Sequence, residues 1–457
     1  MAATNSASLT AAQPHHRGEL KKISLAPFVA VLFAYCAGGP FGFESMISSS
    51  GPGMALLFLL VVPWLFSVPV SLATAEMAAA MPVEGGFYRW TRAAFGDFWG
   101  FHCGWWNWTG TFLLSAAYGV QLADYVAQLV PFPNRFLHWL VAFAFLALVA
   151  YLNILGIRLV GNLTLVLLLV ALLPVAVFTF LGFAHWHFHP FSPLTPPGGP
   201  WRDVYGVGLA LALWTYSGYE QVSTVTEEVE NPTRNFPLGL AIVVPLAVVA
   251  FVLPLAAGLA ALGNWREWQT GYIVSAARLI GGRTLETGMF AAAAICTFVL
   301  LDSTVLSVTR VPFSMAEDGY LHPSLAQLDQ RHGTPARAIL ISTAACAVLA
   351  LFSLTELIAV YAWLRSATSA LTLLSVWRLR KTAPHLKRDY AVPGGKVGMA
   401  AVVLVPITLF AWALVNSDPV SRVWGPICLA LGPLAYLAWG RRSAPAARSA
   451  PSTAASD

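Results

Sequence analysis

Residues 38–45 read GGPFGFES and residues 216–220 read YSGYE, and each stretch interrupts a long apolar segment. Each interruption carries a carboxylate, Glu44 in the first and Glu220 in the second. Backbone that stops being helical at membrane depth exposes amide and carbonyl groups, which is tolerated only where it is buried in protein or lines a cavity. Two such breaks at corresponding positions in two halves of a chain are the best sequence indicator of a substrate site in a carrier.

The composition is that of a membrane protein. Of 457 residues, 57% are hydrophobic and 10% are charged, with a mean hydropathy of +0.67, whereas soluble domains are about one-quarter charged. An apolar run of roughly 20 residues crosses the hydrocarbon core as a helix. The sequence predicts twelve such helices, which start near residues 25, 54, 98, 135, 160, 203, 238, 287, 337, 357, 397 and 421.

The basic residues predict the orientation. Most of the 26 Lys and Arg residues fall on one side when the amino terminus is placed in the cytoplasm, so both termini are expected there. This bias also explains the basic excess without nucleic acid as a partner. We expect a cytoplasmic tail over 1–24, one transport domain over 25–440, and a disordered cytoplasmic tail over 441–457. The chain is expected in the cell membrane as a multi-pass protein.

The spacing of the two breaks predicts a repeat. The interval between them holds about five helices, so the first break lies in predicted helix 1 and the second in predicted helix 6. Repeats with an odd number of helices are inverted relative to each other in the membrane. The predicted fold is therefore all-α, with helices 1–5 and 6–10 as inverted repeats, discontinuous helices 1 and 6, and helices 11–12 as additions.

The free backbone groups at the breaks predict the ligand chemistry. Amino ends of half-helices attract a carboxylate, whereas unwound carbonyls and helix carboxyl ends attract a cation. A zwitterionic amino acid satisfies both. The predicted substrate-binding residues are Gly38, Gly39, Pro40, Phe41, Gly42, Glu44, Trp214, Thr215, Tyr216, Ser217, Gly218 and Tyr219. Aromatic side chains at similar levels offer an apolar or cation–π wall, namely Trp105, Trp106, Trp108, Tyr118, Trp214, Tyr219, Tyr361 and Trp363.

Ionisable residues inside membrane helices are costly and usually functional. Glu44 could bind an ammonium group or a proton, or it could cap amides of the unwound segment. Glu220 is predicted to be a protonation switch because burial disfavours its charged form, with helix-start stabilisation as the alternative. Asp302 and Arg365 are further proton-coupling candidates. They could pair with each other, or Arg365 could pair with a carboxylate near the breaks.

Other classes of function find no support in the sequence. There is no Walker loop, no HExxH and no GxSxG motif, so neither ATP-driven pumping nor hydrolysis is predicted. Five scattered cysteines lack the spacing of a disulfide framework or a metal site. We therefore expect no enzyme activity, no cofactor and no metal. The expected partners are a small amino acid or amine substrate, protons and the lipid bilayer.

The chain resembles the amino acid-polyamine-organocation superfamily from about residue 25 to the end of predicted helix 10. The resemblance is strongest in the run AEMAAAMPVEGGFYRW followed by FGDFWGFHCGWWNW, and it extends over four segments. These are GGPFGFES (38–45), FSVPVSLATAEMAAAMPVEGGFYRW (66–90), WTYSGYEQVSTVTEEVENPTRNFP (214–237) and RDYAVPGG (388–395). The first two resemble the plant-type polyamine uptake branch, whereas TYSGYE resembles general amino acid permeases.

The resemblance implies a leucine-transporter-type fold that works by alternating access. It implies that helix 1 amides receive the substrate carboxylate, that helix 6 carbonyls receive the amino group, and that Glu220 matches a proton-sensing glutamate of related antiporters. The polyamine branch tends to carry Asp where this chain has Leu114 and Lys where it has Asn107. Some proton-coupled members use a Lys in helix 5, which this chain lacks.

Three functions remain open at this point. The first is a proton-coupled amino acid carrier, the second is a carrier of polyamines or other organic cations, and the third is a sensor built on a carrier fold. The third would need a signalling domain, and the tails are short and compositionally simple. A polyamine offers no carboxylate for the helix 1 amides and needs carboxylates or aromatic faces instead, which Glu44 and Glu220 would supply.

Overall fold

A computed structural model describes residues 22–199, 201–352, 354–416 and 419–440. In these ranges the chain is helical, and its only β pairing is a single bridge between Ile23 and Val229. The predicted tails lie almost entirely outside the described residues. The α-helices are α1 Leu25–Cys36, α2 Ser45–Ser50, α3 Pro52–Val62, α4 Val68–Ala80, α5 Phe87–Phe95, α6 Asp97–Leu129, α7 Arg135–Leu155, α8 Ile157–Ala184, α9 Gly208–Thr215, α10 Pro232–Leu262, α11 Tyr272–Val308, α12 Arg310–Glu317, α13 Ala336–Leu349, α14 Leu354–Thr382, α15 Gly395–Val415 and α16 Pro419–Ala435.

Six described helical segments are long and apolar enough to cross a membrane, which makes this an integral multi-pass membrane protein. They are Pro52–Ala80, Arg135–Leu155, Ile157–Ala184, Pro232–Leu262, Tyr272–Glu317 and Gly395–Val415. Their outward side chains are large and apolar, as on Phe180 and Val397, which are 73% and 80% exposed. A helix also begins close to each of the other predicted starts. Twelve crossings and the inverted repeat stay predictions.

Two faces of the molecule follow from the course of the first helices. The chain enters α1 near Ile23, reaches the opposite side at the end of α2, and returns through α3 and α4 to Ala80. On the far side, a Cβ on Gly51 would meet the backbone of Thr195 at 2.9 Å. We call the two ends the Ile23 face and the Thr195 face.

Contacts close the Ile23 face between distant parts of the chain. The Ile23 amide donates to the Glu228 carbonyl over 3.0 Å, and the Gly85 amide donates to the Thr224 carbonyl over 3.2 Å. The guanidinium of Arg310, which is 1% exposed, pairs with Glu228 through its Nε at 2.9 Å. These contacts join the start of α1, the loop after α4, the end of a 3₁₀ segment over Gln221–Glu228 and the start of α12.

A second buried ion pair lies between α4 and α14. The Glu76 carboxylate, which is fully buried, accepts hydrogen bonds from Arg380 Nε at 2.8 Å and from the Val392 amide at 2.8 Å. The arrangement satisfies a buried charge with several donors, which is the condition under which such a charge is tolerated. Glu76 therefore ties the segment before α15 to the helical core.

Candidate functional site

The first break is a non-helical stretch between α1, which ends at Cys36, and α2, which begins at Ser45. Its amides are largely used within the chain: Gly38 donates to the Phe33 carbonyl at 3.1 Å, Gly39 to Ala37 at 2.7 Å, and Phe41 to Gly39 at 2.9 Å. Gly38, Gly39 and Gly42 have φ angles of +65°, +138° and +95°, which only glycine adopts readily.

At two of these positions, close packing also leaves no room for a side chain. A Cβ on Gly38 would lie 2.5 Å from the Leu300 side chain, and one on Gly39 would lie 2.7 Å from Cys296 Sγ. Both neighbours belong to α11. A Cβ on Gly42 would instead have Trp214 as its nearest neighbour at 4.0 Å. Gly38 and Gly39 therefore hold the break against α11, and Gly42 lies towards the second break.

Glu44 caps the first break from inside the chain. Its Oε2 accepts a hydrogen bond from the Gly42 amide at 2.9 Å, and its side chain is fully buried. Its other oxygen, Oε1, is buried and meets no donor within full hydrogen-bond geometry among the described residues, although the Gly271 amide also interacts with the carboxylate. The carboxylate lies directly before α2, where a helix amino end favours negative charge. The capping role that the sequence left open is thus present, with one acceptor unused.

The second break lies between α9, which ends at Thr215, and a 3₁₀ segment, Gln221–Glu228. The Ser217 hydroxyl donates to the Trp214 carbonyl at 2.8 Å. Gly218 has a φ of +123°, and a Cβ there would lie 2.9 Å from the Tyr35 ring. The chain therefore passes close to the end of α1 at this point, and the two breaks lie side by side.

A small cavity lies between the breaks. The volume open to the centre of a water molecule is about 40 Å³. Its walls combine aromatic rings with the last residues of α1 and α9, so two helix carboxyl ends meet there. The lining residues are Tyr35, Cys36, Ala37, Phe41, Phe43, Leu114, Tyr118, Trp214, Thr215, Ser217, Leu300 and Tyr361.

Four of the predicted substrate-binding residues line this cavity: Phe41, Trp214, Thr215 and Ser217. Tyr216 does not, because its hydroxyl donates to the Leu59 carbonyl at 2.8 Å and its ring packs on Phe251. The other residues outside the lining are Gly38, Gly39, Pro40, Gly42, Glu44, Gly218 and Tyr219. Most of these residues determine the backbone course of the breaks, and the cavity walls are formed by neighbouring side chains.

The structure adds wall residues that the sequence reasoning missed. Tyr35, Cys36 and Ala37 precede the first break, Phe43 lies inside it, and Leu300 comes from α11. Tyr35, Cys36 and Ala37 could have been predicted, because they directly precede the break in the sequence. Leu300 had no signal, because one leucine among many in α11 shows no preference for a cavity.

The predicted aromatic wall is partly present. Tyr118, Trp214 and Tyr361 line the cavity, whereas the other predicted rings do not. Trp106 donates to the Leu429 carbonyl at 2.9 Å and Trp108 to Ser342 Oγ at 2.9 Å. These indoles hold α6 against other helices, which is the ordinary role of a buried Trp N–H.

Glu220 and Arg365 form an ion pair in the interior. Arg365 Nη2 lies 3.0 Å from Glu220 Oε1, with side chains 4% and 3% exposed. The Ser369 hydroxyl also donates to Glu220 Oε1. Arg365 Nε and Nη1 have no hydrogen-bond partner among the described residues. Of the two pairings left open for Arg365, the structure therefore has the one with a carboxylate at a break.

Asp302 does not pair with Arg365. Its Oδ1 accepts a hydrogen bond from Asn153 Nδ2 at 2.7 Å, between α11 and α7. Both side chains are buried. Of the two pairings that the sequence left open, the one between Asp302 and Arg365 is not formed, because helix packing places an amide of α7 beside the aspartate and Glu220 beside the arginine.

A larger cleft opens at the Thr195 face. Its volume is about 520 Å³, and it is lined by Ser45, Ser48, Ser49, Pro196, Pro197, Trp265, Arg266 and Gln269. The cleft shares α2 with the first break. The described residues hold no group of three or more His, Cys, Asp or Glu side chains that could hold a metal ion.

Comparison with known families gives one family over most of the chain. The sequence profile of the family described as "Amino acid permease" matches residues 28–435. This range includes both breaks, every residue that lines the central cavity, and the three ion pairs described above.

Curated relatives include transporters of two substrate classes. A probable polyamine transporter of Arabidopsis thaliana is 32% identical over 400 residues, which cover 87% of this chain and 82% of that protein. A polyamine transporter of Oryza sativa subsp. japonica is 31% identical over 410 residues, covering 87% and 74%. The branched-chain amino acid permease BcaP of Bacillus subtilis is 25% identical over 413 residues, covering 86% and 87%.

Proposed function

The chain belongs to the amino acid permease family, and from this membership we propose that it carries small organic amines across the membrane by alternating access. It is a transporter and not an enzyme, because the family is one of permeases and the relatives are transporters. The substrate we favour is a diamine or polyamine. The second candidate is a zwitterionic amino acid.

The placement of Glu44 is the observation that carries the amine assignment. A substrate carboxylate would need free amides at the first break, but the Gly38, Gly39 and Phe41 amides donate within the chain. The Gly42 amide donates to Glu44 Oε2. The chain thus supplies the carboxylate that an amino acid would bring, and the unused Glu44 Oε1 is an acceptor for an ammonium group.

The helix ends around the cavity support the same assignment. α1 and α9 both end at the cavity, and helix carboxyl ends carry partial negative charge. Each amino end beyond the breaks directly follows a glutamate of the chain, Glu44 before α2 and Glu220 before the 3₁₀ segment. The aromatic rings of Tyr35, Tyr118 and Tyr361 add faces that attract cations.

Two of the relatives agree with this preference. The polyamine transporters of Arabidopsis and rice are 32% and 31% identical to the chain. The amino acid candidate is supported by the similarity to BcaP, which is a branched-chain amino acid permease. Amino acid binding would require Glu44 to release the Gly42 amide so that the substrate carboxylate could take its place.

The closed Ile23 face supports alternating access. The contacts of Ile23, Gly85 and Arg310 seal that face, while a cleft opens at the Thr195 face beside α2. We propose that the Ile23 face is cytoplasmic, because the basic residues favour that side. We also propose twelve crossings, an inverted repeat of five helices, and coupling of transport to protons.

Ligand-dependent thermal stability tests the substrate assignment. A ligand that binds only the folded state raises the apparent unfolding temperature of the purified protein. We expect putrescine and spermidine to raise it, and leucine to leave it unchanged at equal concentration. Stabilisation by leucine with no response to either amine would overturn the amine assignment and favour the amino acid carrier.

A further inference from the structure

Asp302 and Asn153 form a buried polar pair outside the cavity between the breaks. Asn153 Nδ2 donates to Asp302 Oδ1 at 2.7 Å and to the Val149 carbonyl at 3.0 Å. Asp302 is 1% exposed and Asn153 is fully buried. Neither side chain lines the central cavity, so substrate contact does not account for the pair.

The pair has too many hydrogen-bond acceptors for a charged carboxylate. Asp302 Oδ2 and Asn153 Oδ1 are both buried without a hydrogen-bond partner among the described residues. An ionised carboxylate has only acceptors, whereas a protonated one brings an O–H donor. A buried carboxylate without a counter-charge is strongly disfavoured and takes up a proton instead. The neutral acid fits this position, and its hydroxyl supplies the donor that the pair lacks.

No counter-charge reaches Asp302 from the elements packed around α11. Three charged side chains on those elements have other partners: Arg158 donates to the Lys22 carbonyl, Arg310 pairs with Glu228, and Glu220 pairs with Arg365. Other titratable side chains of those elements face elsewhere: Tyr35, Cys36 and Tyr118 line the cavity, and Tyr151 is 59% exposed. Within the described ranges Asp302 forms no ion pair, and Asn153 is its side-chain hydrogen-bond donor.

We propose that Asp302, held by Asn153, is a proton-binding site of this carrier. The site is connected to the first break through α11, because Leu300 lines the cavity and Cys296 lies where a Cβ on Gly39 would clash. The neutral acid lets α7 and α11 pack together. Loss of the proton leaves a buried charge at their contact, which weakens that packing and frees α11 to move with the break. This role in transport rests on the proposed carrier function.

Infrared spectroscopy tests proton binding without any substrate. Difference spectra of the reconstituted protein between acid and alkaline pH should contain a carbonyl-stretch band of a protonated carboxylic acid. We expect that band to be lost in Asp302→Asn and kept in Glu286→Gln, a control on α11 whose carboxylate is partly exposed. A spectrum of Asp302→Asn that matches the wild type would overturn the proposal.

A second variant covers the case in which Asp302→Asn does not fold. Asn153→Ala removes the donor to Asp302 Oδ1, so the band should move to higher frequency while Glu286→Gln leaves it in place. An unmoved band would show that the titrating acid is not the one bonded to Asn153, which also overturns the assignment.

A transport measurement tests coupling separately. In proteoliposomes, the ratio of putrescine uptake with and without an inward-directed proton gradient should fall to one in Asp302→Asn and stay at the wild-type ratio in Glu286→Gln. An unchanged ratio in Asp302→Asn overturns the coupling role. Absence of putrescine uptake by the wild type contradicts the proposed amine transport instead, and the infrared result still decides whether Asp302 binds a proton.

Discussion

At the scale of single residues, the two break glutamates have different surroundings. Glu44 is bonded to a backbone amide and keeps one free oxygen, whereas Glu220 is held by a guanidinium and a hydroxyl. An ammonium group can reach the Glu44 oxygen only after the break moves, because Glu44 lies outside the cavity lining. The Glu220 carboxylate must in addition give up an ion pair before it can take another partner. Glu44 is therefore the stronger candidate for substrate contact, and Glu220 the stronger candidate for holding α14 to the second break.

The first prediction concerns Glu44→Gln. Glutamine keeps an acceptor for the Gly42 amide but removes the charge that we assign to ammonium binding. A hydrogen bond to a charged group contributes about 1.5–3 kcal/mol, so putrescine affinity should fall by about 10- to 100-fold. Titration calorimetry on the purified protein measures this change.

The matched control for that prediction is Glu267→Gln. Glu267 is exposed, accepts a hydrogen bond from Asn264 at 2.8 Å, and lines neither the central cavity nor the cleft. Its replacement should leave putrescine affinity unchanged. Equal affinities for Glu44→Gln and Glu267→Gln would mean that Glu44 does not contact the amine.

The second prediction concerns the pair of Glu220 and Arg365. Glu220→Gln leaves a buried guanidinium without its counter-charge, which costs about 3–5 kcal/mol. The apparent unfolding temperature in detergent should therefore drop clearly. Glu220→Gln combined with Arg365→Gln should recover part of the loss, because neither partner then carries an unpaired charge.

Glu286→Gln is the comparison for this pair. Glu286 lies 3.8 Å from Arg278 on the surface of α11, and exposed pairs contribute at most about 1 kcal/mol. Its unfolding temperature should stay close to that of the wild type. If Glu220→Gln is as stable as Glu286→Gln, the interior pair does not stabilise the fold.

At the scale of helices, glycines decide how closely elements approach. Gly182 on α8 lies against α10, where a Cβ would meet the Ala257 carbonyl oxygen at 2.8 Å. This contact involves backbone, which cannot rotate away as a side chain could. Small residues at helix contacts allow such close packing in membranes, where lipid supplies no hydrophobic force between helices.

The third prediction follows from this contact. Gly182→Val forces α8 away from α10 and should destabilise the protein by about 1–3 kcal/mol. Ala184→Val adds similar bulk two residues later at an exposed position and should have little effect. Apparent unfolding temperatures of the two variants in detergent separate the outcomes. Equal stability would mean that α8 and α10 can separate without cost.

At the scale of the whole molecule, the contacts at the Ile23 face hold together elements from both halves of the chain. Arg310 at the start of α12 pairs with Glu228 at the end of the 3₁₀ segment, and Ile23 pairs with Val229. Under the proposed alternating access, these contacts would separate when the protein opens on that side. Their strength would then set how often the cavity is reached from the Ile23 face.

The fourth prediction uses Cys36, which lines the cavity. Combining Arg310→Gln with Glu228→Gln removes both charges of the ion pair at the Ile23 face, so neither residue is left as an unpaired charge. In a variant with Cys36 as the sole cysteine, alkylation should speed up by about tenfold, which corresponds to a loss of about 1.4 kcal/mol from the closed state. Mass spectrometry of maleimide-treated protein gives the rate.

Lys387→Gln is the control for this measurement. Lys387 is highly exposed and pairs with Asp389 at 2.8 Å, so its replacement should leave the alkylation rate unchanged. An alkylation rate in the double variant equal to that of Lys387→Gln would mean that the Arg310 pair does not keep the cavity closed.

The sequence by itself determined the membrane class, the family and the positions of the two breaks. Hydropathy is a sum over consecutive residues, and glycine inside an apolar run indicates a local break in the helix. Both properties can therefore be read from the sequence alone. Tertiary structure alone decided which side chains meet. Leu300 comes to the cavity, Glu220 meets Arg365, and Asp302 meets Asn153. Those contacts depend on helix rotation and crossing between residues far apart in sequence, which packing sets and local pattern does not.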